Sequence, residues 1–144
     1  MTKTVKFNAK DIFGKNFEIM DSFNNVKLVQ NGLDKVYKAM DKADEEHTDK
    51  DGQVNTSLLD YSNAIVPVIL NETAVLLGLN KEDKEKLKGL SYSAIQDFYS
   101  QACEEFAGIP LPTVQSMQKQ IERAQKIAAG QAEPEDGEDM VDPK

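Results

Sequence analysis

The feature that most constrains this chain is the run Ala64-Ile65-Val66-Pro67-Val68-Ile69-Leu70, seven residues apolar on every side. A helix carrying such a run has no polar face to offer water there, so it belongs in the middle of a fold. The run is far short of the roughly 20 residues a membrane-crossing helix needs. Around it, Leu58, Tyr61, Ile65, Ile69, Glu72 and Leu76 recur at helical steps, with Leu59, Val66 and Leu70 beside them. Asn55, Thr56 or Ser57 offers an N-cap, and Gly78 suits the left-handed residue that ends a helix. Pro67 removes one backbone hydrogen bond and crowds the carbonyl of Asn63, so a kink is expected near Asn63.

A buried central helix needs amphipathic neighbours, and the chain supplies them. Val26, Val29, Leu33, Val36, Tyr37 and Met40 make one stripe that starts at Asp21 or Ser22. Its pattern fades in the acidic stretch Asp41 to Asp51, which reads as a loop closed by Gly52. Asn80 with Asp83 opens a short charged helix, Lys81 to Leu87, ended by Gly89. Ser93 with Gln96 forms a capping box before the stripe Ile95, Phe98, Tyr99, Ala102, Cys103 and Phe106, which Gly108 ends. Ile109-Pro110-Leu111-Pro112 must be extended, because each proline disfavours helix in the residue before it. Thr113 then caps a last helix carrying Val114, Met117, Ile121, Ala124 and Ala128, which runs out at Gly130.

Ahead of the helices, Val5 with Phe7 and Phe17 with Ile19 alternate with polar neighbours, the mark of two short strands. Asn8 and Asp11 offer a cap for one helical turn between them, which Gly14 ends. These strands form either a small ribbon or an extended arm that docks on the body. At the other end, Gln131 to Lys144 holds six carboxylates against one lysine, with two prolines and a glycine, which reads as a disordered acidic tail. The expectation is a mainly α fold: one helical domain over 1–130 with a short N-terminal β element, and a tail over 131–144. A chain of 144 residues buries enough surface to need no metal or disulfide staple.

Seventeen basic against twenty-five acidic side chains leave a net charge of −8. That field repels phosphate backbones and anionic lipid, which argues against nucleic-acid and membrane partners. The first fifteen residues lack the apolar stretch of a signal peptide, and the single cysteine, Cys103, permits no internal disulfide. Both point to a cytoplasmic protein that is not secreted.

Each chemical constellation the chain offers falls short. Aligning Gly52 with the glycine of a calcium-binding loop places Asp49 and Asp51 at ligand positions, but also puts His47 and Leu58 where carboxylates are required. His47, the only histidine, sits in that polar loop, too few partners for zinc. Cys103 lies on an apolar stripe with no base in reach. The glycines never cluster into a phosphate loop. No catalytic, cofactor-binding or metal-binding residue is expected, and the chain does not read as an enzyme. Interaction chemistry remains: Phe98, Tyr99, Phe106, Met117 and Ile121 offer a groove to another helix unless their stripe is core. An aromatic-rich N-terminus that looks loosely integrated, a last helix set apart by two prolines and a charged tail favour a partner.

In size, in the strand-forming Thr4 to Asn8 and Phe17 to Met20, in the helical middle and in Asp97-Phe98-Tyr99 through Glu105-Phe106-Ala107-Gly108-Ile109-Pro110, the chain resembles the small tail assembly chaperones of long-tailed phages and prophages of Gram-positive bacteria. The acidic tail adds to the likeness. The resemblance implies a non-enzymatic protein of the host-cell cytoplasm that binds the tape measure protein, keeps it soluble while the tail tube grows, and is absent from the finished virion. Self-association accompanies that picture. The alternative is a structural phage component such as a head–tail connector subunit.

Overall fold

The computed structural model describes residues 2–128, and the expected tail over 131–144 lies outside them. The fold is mainly α, with one β element. Strands β1 (Thr4–Phe7) and β2 (Phe17–Met20) pair antiparallel, Val5 opposite Ile19 and Phe7 opposite Phe17. A single turn of helix, α1 (Lys10–Phe13), links them and ends at Gly14 with φ 74°, a backbone only glycine adopts cheaply. Its N-cap is Ala9, without the expected side-chain bond from Asn8.

The ribbon is firmly integrated, which corrects the impression of a loose N-terminus. Alternation sends Val5 and Phe7 to one face, where both are buried. The Phe7 ring meets that of Phe98 with centroids 5.0 Å apart, and Phe13 stands edge-on to Phe17 at 5.8 Å.

Helix α2 spans Phe23–Glu46, capped by the Ser22 side chain accepting from the Asn25 N–H. It runs through the first part of the acidic stretch that reads as a loop. The reason is Ala43, a small residue that continues the buried series Val29, Leu33, Val36 and Met40 by one more step. Tyr37, expected on the stripe, is largely exposed, and its hydroxyl donates to the Pro110 carbonyl at 3.3 Å.

Helix α3 (Leu58–Leu77) is the hub, packing against α2, α4, α5 and α6. Ser57 and Asp60 form a reciprocal capping box, and Gly78 closes the helix at φ 69°. The helix passes through Pro67 without interruption, with that proline on the exposed side. Tyr61, Ile65, Ile69, Glu72 and Leu76 are buried as the periodicity requires. The apolar run, however, is not covered all round: Ala64, Val66, Val68 and Leu70 are only half-buried.

Helix α4 (Lys81–Leu87) starts at Asn80, as its sequence indicates. Helix α5 (Tyr92–Ala102) starts two residues early, because Ser91 rather than Ser93 accepts the capping bond, from the Ala94 N–H. Its stripe is wholly core. The chain then widens into one π-helical turn, Cys103–Ala107, ended by Gly108 at φ 70°. After the extended prolines, α6 (Val114–Ala128) begins at a reciprocal pair in which Thr113 and Ser116 side chains accept each other's backbone N–H groups.

Candidate functional site

The five residues proposed from the sequence as a partner groove divide unequally. Phe98, Tyr99, Phe106 and Met117 are buried, and Ile121 is half-buried. In this fold the first four are core: Phe98 and Tyr99 lie on the inner face of α5, Phe106 on the π-helical turn that packs on α2, and Met117 is buried beneath α6. Accessible apolar surface is instead found along the outer side of α3. Leu59 is 68% exposed and Val114, at the start of α6, is 55% exposed.

Between α3, α5 and the first turn of α6 runs an apolar groove of about 320 Å³. Leu58, Leu59, Ile65 and Val66 form one wall, Tyr92 and Gln96 another, and Val114 and Met117 a third. A second cleft, about 330 Å³, lies further along α6, lined by Ile121 and Ala124 together with Thr56, Leu58 and Tyr61. Helix α6 therefore rests on α3 with a cleft beside its first turn and another beside its later turns. Its only substantial packing partner among the described elements is α3, and Ile127 on its last turn is exposed.

Polar bonds hold this helix in register. Asp44, near the end of α2, accepts from the Thr56 and Tyr61 hydroxyls, both at 2.6 Å. Its other oxygen accepts from the Gln120 amide of α6 at 3.3 Å, and the same amide donates to the Tyr61 hydroxyl at 3.0 Å. Burial, and then the Asp44 carboxylate, push the Tyr61 phenol well above its ordinary range, so it stays a neutral donor. Sequence periodicity gave no sign of this cluster, since Asp44 looked like one acid among many.

The acidic loop satisfies itself. Asp49 accepts the backbone N–H groups of Asp51 and Gln53, each at 2.9 Å, and the Gln53 bond is the main cause that holds its carboxyl below the usual range. His47 donates from Nδ1 to the Ala43 carbonyl at 2.8 Å and sets Nε2 3.4 Å from Asp60. Among the described residues no group of three His, Cys, Asp or Glu side chains could hold a metal ion. Cys103 is buried, and burial pushes its thiol up to about 12, far from a thiolate at neutral pH.

A further polar cluster lies inside the bundle. Glu72, 4% exposed, meets Lys35 of α2 at 3.3 Å and accepts from Asn71 at 2.9 Å. Nearby, the Tyr99 hydroxyl and Thr73 Oγ1 are buried without a hydrogen-bond partner. No helix is long and apolar enough to cross a membrane among the described residues. Comparison of the chain with family models, with curated proteins and with solved structures gives no match.

Proposed function

We propose that this protein is a non-enzymatic phage tail assembly chaperone that binds the tape measure protein and keeps it soluble during tail assembly. The observation that supports this reading is the apolar groove on the outer side of α3, where Leu58, Leu59, Val66 and Val114 face solvent in whole or part. A tape measure protein is a long helical chain with apolar faces, and a helix lies naturally in a groove lined this way. Binding would cover the faces that drive aggregation, while the net charge of −8 keeps the complex dispersed. The work is done in the host cytoplasm, and the protein leaves before the virion is complete.

Co-expression tests this. The tape measure protein should move from the pellet to the soluble fraction with this chain present and should be retained with it on a tagged column. Equal insolubility with and without the chain would refute the proposal. Recovery in purified particles would favour the head–tail connector alternative.

A further inference from the structure

We infer that the cleft between α3 and α4 is the seat of the chain's own acidic segment 138–142. The inference does not depend on the chaperone reading, since both the seat and its occupant belong to this chain.

Helix α4 sets a row of positive charge against an apolar strip of α3. Pro67 and Leu70, from the outward part of the apolar run, line a cleft of about 470 Å³ together with Asn71, Lys84 and Lys88. Lys81, Lys84 and Lys88 follow at three- and four-residue steps and so share one side of α4. The acids of this helix are taken up elsewhere, Glu82 and Asp83 by Lys86, and Glu85 by Lys88 at 3.0 Å. No carboxylate among the described residues lies within ion-pair distance of Lys81 or Lys84.

Lys84 is held in place by a relay of side chains. Its ammonium donates to the Asn71 amide oxygen, and the Asn71 amide nitrogen donates to Glu72 at 2.9 Å. The buried Glu72 carboxylate in turn meets Lys35 at 3.3 Å. Glu72 and Lys35 cancel, which leaves the half-buried Lys84 charge uncompensated on the wall of the cleft. Partial burial also reduces screening by salt, so a carboxylate gains more there than at a fully exposed lysine.

The sequence supplies a complementary segment. Within 131–144 the two large apolar side chains are Met140 and Val141, with Glu138 and Asp139 before them and Asp142 after. That order suits an apolar floor bordered by lysines. Length permits the meeting. Helix α6 starts beside Ile65 and Val66 and lies beside Thr56 to Leu58 at Ala124, so it runs back toward the N-terminal end of α3. Leu70 lies 12 positions beyond Leu58, which is about 18 Å at the helical rise. The stretch 129–139 spans up to about 36 Å when extended, enough for that distance and the width of a helix. Such a tether holds the segment at an effective concentration on the order of millimolar, so even a weak contact is substantially occupied. Docking covers Pro67 and Leu70, apolar surface that the folded body leaves wholly or partly in solvent.

Zero-length carbodiimide coupling of the full chain, mapped by peptide mass spectrometry, tests this, because it joins an ammonium to a carboxylate only where the two meet. Links should join Lys84 or Lys88 to Glu138, Asp139 or Asp142. They should outnumber links from the same carboxylates to exposed Lys3, Lys27 and Lys50, although the loop of Lys50 lies beside α6. A full-length variant with Met140→Ser and Val141→Ser keeps every carboxylate and leaves the described core untouched. It should lower the yield of these links about fivefold, as half-burial of two apolar side chains is worth about tenfold in the docking equilibrium. Links spread over the lysines in proportion to exposure would overturn the inference, as would an unchanged yield in the serine variant. So would links found only between an isotopically labelled and an unlabelled copy, since the segment would then serve a second molecule.

Discussion

Replacing Gly32 by alanine should destabilise the protein, although alanine is the better helix former. Gly32 lies inside α2, where the substitution alone would favour the helix by about 1 kcal/mol. Against this, a Cβ at position 32 would sit 1.8 Å from the Tyr99 hydroxyl oxygen, 3.2 Å from Tyr99 Cζ and 3.3 Å from Glu72 Cγ. To reach an ordinary carbon–oxygen separation of about 3.3 Å, the hydroxyl must retreat by roughly 1.5 Å. The ring cannot swing aside freely, since Tyr99 is fully buried between α2 and α3. Overpacking of this kind costs about 1–3 kcal/mol and more where the neighbour is rigid, so a net loss of about 1–2 kcal/mol is expected. The hydroxyl itself is buried without a partner, so Tyr99→Phe should cost little or even stabilise. The double variant should therefore recover the loss and exceed the wild type, with a coupling energy of about 2 kcal/mol. Urea unfolding followed at 222 nm on the four chains completes the cycle. A Gly32→Ala chain as stable as the wild type, or additive effects of the two changes, would show that α2 and α5 do not meet through this contact.

Four further outcomes are expected. Asp44→Ala leaves the buried Thr56 and Tyr61 hydroxyls without their acceptor, which should cost about 2–4 kcal/mol in urea unfolding; a loss below experimental error would mean that the cluster is not formed. Cys103 should resist thiol reagents at neutral pH until the protein unfolds, because its thiol is buried and pushed up to about 12; stoichiometric labelling of the native chain would contradict its place in the core. The Asp60 carboxyl is held below its ordinary 3.8 by the Ser57 backbone and side chain. The unfolded chain therefore takes up that proton first, so the capping box stabilises above the unfolded value and its contribution is lost as pH falls through the folded one; Asp60→Asn should flatten that part of the acid limb, and an unchanged limb would count against the cap. Leu59→Lys should leave the melting temperature within a few degrees, a surface change worth about 0.5 kcal/mol or less, while reducing partner retention; retention equal to that of the wild type would move the binding surface elsewhere.

Much of the architecture was legible because each helix announces itself in the same way. The α5 stripe names its buried residues, and the α3 stripe names Tyr61, Ile65, Ile69, Glu72 and Leu76 but takes in half-buried Leu58 and misses Thr73, Ala74 and Leu77, since a side chain's face follows from the 3.6-residue repeat while its cover does not. Terminators were equally readable: Gly14, Gly78 and Gly108 all take positive φ where their helices stop. What periodicity cannot give is the distinction between an inner and an outer stripe, which depends on how many neighbours a helix has. Phe98 and Tyr99 belong to a helix packed on several sides, so their stripe is core. The last buried turn of α2 was hidden because Ala43 is flanked by charged residues, and small side chains weigh little in a hydropathy pattern. The Asp44 cluster was hidden for another reason: it joins residues 12, 17 and 76 positions apart, and only tertiary structure brings them together.

The apolar run in α3 ties these threads together. A helix that is apolar on every side gains most when it is covered on every side, at about 25 cal/mol for each Å² removed from water. Here α2 and α5 cover Ile65 and Ile69 completely, while Val66, Val68 and Leu70 are left half in solvent, Pro67 faces outward, and Val75 is 43% exposed. Val68 and Leu70 still pack partly against the core, whereas Val66 and Val75 lie outside it, so folding alone does not require apolar residues at those two. Nor does α6 complete the cover, since it rests on the N-terminal end of α3 and leaves clefts beside it. Apolar surface left in solvent along one helix is the kind of surface the proposed partner reading requires. It is also costly in a protein that works alone, where the same surface promotes aggregation. Under the proposed chaperone reading, the outer side of α3 is the apolar surface that a partner helix would cover, since Phe98 and Tyr99 are buried in this fold.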